Sequence, residues 1–349
     1  MAKIDDNFIR MCTDILENGT TTQGQKVRPH WPDGTPAYTI KKFGVVTRYN
    51  LQEEFPVLTL RKTPVKSALD ELLWIWQSKS NNIHDLHSGV WDEWADETGS
   101  IGKAYGYQMA VKHRYHDISE EGLRHAFGDF AIPETAFTGD VLTPELAAAG
   151  AVLYAAESPD TGDAAQRAGA FTGAHAVRAE DGWWYMDQVD RVIYDLKNNP
   201  FSRRIMTSIY TFADLHAMHL YPCAYSMTFN VTQQEGHDRL TLNGILNQRS
   251  QDILAAFAWN EWQYACLLAL MAQSCDMEAG EFVHVVADAH IYDRHTDAVR
   301  ELIGRTPKPA PKVRINPDIH DFYKFTRDDV KLEGYEVAGG QITNIPIAI

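Results

Sequence analysis

The residues best suited to chemistry crowd into one stretch, Leu220 to Asn260. Cys223 follows Tyr221 and Pro222, the pair Arg249-Ser250 and then Asp252 come next, and Asn260 closes the stretch. The thiolate form of a cysteine is a nucleophile, and a nearby arginine can lower a thiol pKa from ~8.5 toward neutrality. Arg249, on the following strand-like segment, is placed to supply that field. A guanidinium beside a hydroxyl also makes an anion site, and an asparagine amide offers a donor end and an acceptor end to a flat polar ligand. Nucleophile, anion site and edge reader together describe an enzyme. The alternative for Cys223 is a structural role, since free cysteine is among the most buried residue types.

Other residues carry a second possibility beside a bland one. Glu71 sits among apolar residues of a helical run, where a carboxylate is costly to bury unless it is paired or has work to do. The adjacent Arg203 and Arg204 are either surface charge or two planar forks for a phosphate. Lys26 and Arg28 lie in a loop rich in Gly, Thr and Pro, and spacing alone makes them solvated charges. Tyr105 and Tyr107 alternate with glycines, which fits either close backbone approach to a flat ligand or a turn with two core aromatics. His284, Asp288 and His290 would share one face of a strand, with His295 just beyond. They invite a metal reading, yet no HExxH pattern or cysteine pair completes a set. A hydroxyl-binding pair, His290 with Tyr292 on the same face, fits better. No Gly-rich loop with a lysine and Ser/Thr is present, which argues against a nucleotide triphosphatase.

The elements that must position these groups can be read from periodicity. Ile4, Phe8, Met11, Cys12, Ile15 and Leu16 fall on one face of a helix that Gly19 stops, with Cys12 in the core. Ala37 to Leu60 reads as strands, at Phe43 to Val46 and Phe55 to Leu58. Pro64 to Gln77 and Met186 to Asn198 read as helices. Met206 to Tyr210, Ser226 to Val231 and Leu240 to Leu246 read as strands. Ile253 to Gln273 is apolar nearly all round, which predicts a central helix that buries Cys266. Glu281 to Ile291 alternates as a strand, and a last helix covers about Asp293 to Ile303. Arg114 to Trp184 is different: rich in Ala, Gly, Thr and acids, with only a short helix expected at Pro144 to Tyr154. It reads as an insertion or small subdomain attached to a core.

A chain of 349 residues can bury a large core. Its net charge of −15 argues against a nucleic-acid surface, though not against a small cationic pocket. No apolar run reaches the ~18–20 residues that span a bilayer, and the acidic Met1 to Asn18 is not a signal peptide. The four cysteines have no metal-ligand spacing and are expected to be reduced thiols in the cytoplasm.

Eight motifs, taken in order, resemble the folate-dependent, cysteine-nucleophile thymidylate synthase family. They are Asp70-Glu71-Leu72-Leu73-Trp74, Trp91-Asp92-Glu93-Trp94-Ala95-Asp96, Ala104-Tyr105-Gly106, Ser202-Arg203-Arg204-Ile205, Tyr221-Pro222-Cys223, Gln248-Arg249-Ser250, Asp288-Ala289-His290-Ile291-Tyr292 and Pro346-Ile347-Ala348-Ile349. The resemblance covers nearly the whole chain outside about 114–184. It implies an α+β fold: a single catalytic domain over 1–349, with a large mixed sheet covered by helices and an inserted subdomain. It implies reductive methylation of dUMP to dTMP by 5,10-methylenetetrahydrofolate, with no metal. Cys223 would attack carbon 6 of uracil. Arg249 and Ser250 would hold phosphate, joined by Arg28 and by Arg203 and Arg204 reaching the partner's site in a homodimer. Asn260 would read the pyrimidine, and His290 and Tyr292 the ribose. Glu71 and Tyr105 would serve proton transfers. Trp91, Trp94 and Asp252 would lie near the folate, with Ile349 closing the site. Ala224 stands where many members have histidine. The rival readings are a dUMP hydroxymethylase on the same fold and a catalytically silent nucleotide-binding homologue.

Overall fold

The structure is a computed structural model that describes residues 2–128, 152–153, 175–178, 183–233, 235–236, 238–343 and 345–349. Helix α1 (Lys3–Asn18) buries Ile4, Phe8, Met11, Cys12 and Ile15, the face its spacing predicts. It ends at Gly19, whose N–H donates to the Ile15 carbonyl at 2.9 Å. Strands β1 (Thr20–Thr21) and β2 (Thr39–Asn50) follow, then helix α2 (Val65–Trp76), which buries Glu71 with its apolar neighbours. The strand expected at Phe55 to Leu58 does not form. That stretch is irregular, Pro56 offers no N–H to a ladder, and Val57 turns back to bond the Phe55 carbonyl at 2.9 Å.

Four short strands come next or lie near: β3 (Val111–Tyr115), β4 (Val152–Leu153), β5 (Val177–Arg178) and β6 (Trp184–Asp187), which form a separate small sheet in the order β4-β3-β6-β5. Helices α3 (Gly106–Ala110) and α4 (Glu120–Phe127) flank it. Leu123, Ala126, Ala176, Trp184 and Met186 bury a small core there. Most of the helix expected at Pro144 to Tyr154 lies outside the described residues, and its end at Val152–Leu153 is strand. Helix α5 spans Gln188–Asn198, not Met186 onward, because Asp187 accepts from the N–H groups of Val189 and Asp190 and so starts the helix there.

The main sheet has seven strands. To β1 and β2 it adds β7 (Met206–Ser208), β8 (Ala224–Thr232), β9 (Thr241–Gln248), β10 (Gln251–Asp252) and β11 (Glu278–Tyr292). The order is β1-β2-β11-β9-β8-β7, with β10 alongside β11. Pairing is mixed: β11 runs parallel to β9 and β10 but antiparallel to β2. Helix α6 (Ile253–Ser274) starts where Asp252 caps the N–H groups of Leu254 and Ala255. It is buried along most of its length, as its all-round apolarity requires, and Cys266 is inside. A 3-10 turn (Asp293–His295) leads into α7 (Thr296–Ile303), and β12 (Lys312–Ile315) pairs with β13 (Val330–Glu333). An α+β architecture results, with helices covering a large mixed sheet.

A buried ionic cluster ties the small sheet to the rest. Lys79 Nζ lies 2.7 Å from Asp187 Oδ2 and 3.6 Å from Asp190 Oδ2, and Lys112 Nζ lies 3.5 Å from Asp187 Oδ2. All four side chains are almost completely buried, so each charge depends on the others.

Candidate active site

One cavity of about 350 Å³ opens at the C-terminal ends of β9 and β11. Helix α2 contributes Glu71, α6 contributes Asn260, and β11 contributes His290 and Tyr292. Cys223 enters from the turn before β8, and Arg249, Ser250 and Asp252 from the end of β9 and from β10. Trp91, Trp94 and Tyr105 form another wall, and Arg28 and Ile349 close a further side. Every predicted site residue therefore lines this cavity except Arg203 and Arg204, which are exposed elsewhere.

The Cys223 turn is held by its surroundings. Arg249 donates through Nε to the Pro222 carbonyl (2.9 Å) and through Nη2 to the Tyr221 carbonyl (2.7 Å). The same Nη2 lies 3.6 Å from Cys223 Sγ. On the other side the Cys223 N–H donates to the Tyr105 hydroxyl at 3.1 Å. Tyr105 takes φ +47°, a conformation that stores roughly 1–3 kcal/mol in a non-glycine residue. The next residue must be glycine, because a Cβ at Gly106 would collide with the Ser80 carbonyl. Backbone strain and a forced glycine thus aim the Tyr105 hydroxyl at the cysteine.

The expected activation of the thiol is only partly present. Burial pushes the Cys223 pKa up, and the fields of Arg249 and Arg28 offset this without reversing it. Arg28 bears on the sulfur although it stands in an exposed loop. That loop is anchored to the end of the chain: the His30 N–H donates to the Ile349 carbonyl (2.8 Å) and the Ile349 N–H to the His30 carbonyl (3.0 Å).

Glu71 is the other perturbed group. Burial raises its pKa from 4.5 to about 7, with the polar N–H groups of Gln263, Trp259 and Trp91 around it pulling the other way. The Trp259 indole N–H reaches it at 3.1 Å. A carboxyl with that pKa exchanges protons readily near neutrality.

Asn260 is gripped by amides. Its Oδ1 accepts from Gln248 Nε2 (3.2 Å) and Gln251 Nε2 (3.3 Å), and its Nδ2 donates to Gln263 Oε1 (3.2 Å). Gln248, Gln251, Gln263 and Tyr264 all line the cavity, and sequence reasoning gave none of them a role. Two of them carried a signal: Gln248 stands in the Gln248-Arg249-Ser250 motif, and Gln263 lies one helical turn beyond Asn260 on the same face.

The strand face that invited a metal reading resolves into separate pairs. His284 Nε2 lies 2.9 Å from Gln248 Oε1, while His290 Nδ1 lies 2.9 Å from Asp288 Oδ1. Lys41 Nζ donates to Asp288 Oδ2 at 2.7 Å. His290 and Tyr292 do come together at the cavity, with ring centroids 5.0 Å apart. Among the described residues no group of three or more His, Cys, Asp or Glu could hold a metal ion. No helix among them is long and apolar enough to cross a membrane.

The family model described as thymidylate synthase matches residues 6–348. Thymidylate synthase of Bacillus subtilis subsp. natto is 32% identical over 340 residues, which cover 96% of each chain. That of Bacillus phage phi3T is 31% identical over 340 residues, again 96% of each. Among solved structures, thermostable thymidylate synthase A from Bacillus subtilis aligns over 99% of both chains with a TM-score of 0.73 and 30% sequence identity.

Proposed function

The chain belongs to the thymidylate synthase family and is a methyltransferase, and from that premise we propose that it converts dUMP to dTMP. In this reading 5,10-methylenetetrahydrofolate supplies a one-carbon unit and a hydride and leaves as dihydrofolate. The observation that carries it is the convergence of Cys223, Glu71, Tyr105, Arg249 and Asn260 on one cavity.

Neutral uracil is a poor electrophile, so carbon 5 must first be made nucleophilic. The Cys223 thiolate adds to carbon 6, and the electron pair moves toward carbon 5 and the 4-oxygen. Carbon 5 then bonds the one-carbon unit. Tyr105, aimed by its strained backbone, assists loss of the carbon 5 proton, and Glu71 passes protons to and from the ring. Loss of the carbon 5 proton expels the tetrahydrofolate nitrogen and leaves an exocyclic methylene on carbon 5. The freed tetrahydrofolate gives its hydride to that methylene and becomes dihydrofolate. The cysteine leaves carbon 6 as thiolate, which completes the methyl product. The negative charge of the substrate phosphate rests on the guanidiniums of Arg249 and Arg28 with the Ser250 hydroxyl. Asn260 reads the uracil edge, and His290 and Tyr292 hold the ribose hydroxyl. Trp91, Trp94 and Asp252 flank the folate, and Ile349 closes the cavity against water, which would otherwise trap the methylene.

Arg203 and Arg204 lie outside this cavity and serve the partner's site in a homodimer. Phe43, Val46, Met206 and Ile245, exposed on β2, β7 and β9, support a sheet-to-sheet contact between the two subunits. The chain forms a single catalytic domain in the cytoplasm, with the segment at about 114–184 inserted into it.

Product analysis tests the proposal, using purified protein, dUMP and methylenetetrahydrofolate beside Cys223→Ser. Equimolar dTMP and dihydrofolate, absent from the variant, is the expected result. Hydroxymethyl-dUMP with tetrahydrofolate would mean that water wins the second step. Nucleotide binding without product would mean a silent homologue.

A further inference from the structure

Behind the cavity lies a pair of buried titratable side chains that the proposed chemistry does not use. Glu261 on α6 and His284 on β11 are both fully buried, with His284 Nδ1 3.3 Å from Glu261 Oε1. Thr47 Oγ donates to the same Glu261 oxygen at 2.7 Å and Tyr49 OH at 3.3 Å, so β2 fixes the carboxyl. The carboxyl of Glu261 thus packs against the Nδ1 edge of the imidazole and fixes where the ring lies.

The other ring nitrogen points toward the active site. His284 Nε2 is 2.9 Å from Gln248 Oε1. Gln248 Nε2 faces the Ser250 carbonyl at 3.0 Å and Asn260 Oδ1 at 3.2 Å. The Ser250 carbonyl can only accept, so the group facing it is the glutamine's NH₂. Its oxygen therefore faces His284, and His284 must donate through Nε2. The amide of Gln248 is locked in one of its two orientations, and Asn260 with it: oxygen toward Gln248 and Gln251, NH₂ toward Gln263.

Orientation matters because uracil and cytosine present opposite patterns. Uracil offers a donor at N3 and an acceptor at O4, whereas cytosine offers an acceptor at N3 and a donor at N4. An asparagine that rotates its amide by half a turn exchanges one match for the other. We propose that His284, held by Glu261, is a specificity-positioning residue: it braces the oxygen end of the Gln248 amide, whose NH₂ end the Ser250 carbonyl holds, and by steadying the Gln248–Asn260 amide chain helps the site select uracil over cytosine nucleotides. This rests on the reading that Asn260 contacts the pyrimidine.

The test is calorimetric binding of dUMP and dCMP to the full chain, beside steady-state kinetics with dUMP. Variants are His284→Phe, which removes the donor, and His284→Gln, which returns an NH₂ near the same place. The phenylalanine variant is expected to lose about tenfold in its dUMP-over-dCMP preference and to raise KM for dUMP about tenfold, with kcat changed less than about threefold. The glutamine variant is expected to recover most of the preference. A folded His284→Phe protein with the parent's preference overturns the proposal. A parent chain that binds dUMP and dCMP equally overturns the Asn260 reading as well, and so separates the two failures. Nitrogen NMR of the unaltered chain gives an answer that needs no variant: His284 Nε2 must carry a slowly exchanging proton, and an unprotonated Nε2 overturns the assignment.

Discussion

Glu71→Gln should make the protein more stable above neutral pH while slowing its turnover. Burial raises the Glu71 carboxyl from 4.5, its value in the unfolded chain, to about 7 in the fold. Below pH 4.5 the group is protonated in both states, and burying it carries no ionic penalty. Between 4.5 and 7 the unfolded chain ionises first, so stability falls as pH rises. Above 7 both states are ionised and the folded one bears the whole penalty. At 1.36 kcal/mol per pH unit, a rise from 4.5 to about 7 amounts to about 3 kcal/mol. A glutamine has nearly the same shape, can still accept from the Trp259 indole, and bears no such penalty. Urea unfolding at matched protein concentration should therefore show the variant about 3 kcal/mol more stable than the parent at pH 8. The gain should shrink to less than about 1 kcal/mol at pH 5. A pH-independent difference, or a variant less stable at pH 8, would refute the argument that the protein stores an uncompensated carboxylate here.

Three more outcomes follow from other contacts. Arg249→Met should slow iodoacetamide alkylation of Cys223 at pH 8 at least about fivefold, because a charge about 4 Å away is worth on the order of 1 kcal/mol even at the dielectric constant of water. Cys12, Cys266 and Cys275 are buried, so the label reports Cys223, and an unchanged rate would mean that Arg249 does not act on the thiol. Tyr105→Phe removes the acceptor for the Cys223 N–H, and should lower stability by about 1 kcal/mol and turnover by about 10²–10⁴-fold. Calorimetric dUMP affinity should stay near the parent's, and a variant with full turnover would remove Tyr105 from the mechanism. Lys79→Met leaves Asp187 and Asp190 with one fewer buried cation and should destabilise by about 3–5 kcal/mol in urea unfolding. A loss below about 1 kcal/mol would mean that the cluster is not ionised as drawn.

Much of this was legible because local rules and tertiary demands agreed. The spacing of Ile4, Phe8, Met11 and Ile15 gave α1, and the all-round apolarity of Ile253 to Gln273 gave a central helix. Phe55 to Leu58 looked like a strand because its residues are apolar, yet it is buried without a ladder. The start of α5 hinged on which side chain reached free N–H groups, and Asp187 was not singled out. At the site, the residue types announced Cys223 and Arg249, but not the sign of the balance between burial and charge. Glutamines escaped notice because an amide becomes informative only when its partners are known. The same holds for Glu261 and His284, which meet from a helix and a strand that the sequence could not place side by side.

The pairing of β3 with β6 sets Tyr115 directly opposite Trp184. The chain thus leaves the catalytic frame and re-enters it at neighbouring points. For such a closed excursion the ordering entropy grows only with the logarithm of length, about 0.6 kcal/mol for each doubling. Closing the excursion is therefore a small part of its cost, and what the residues between those points contribute is packing, through Leu123, Ala126 and Ala176 in the small core.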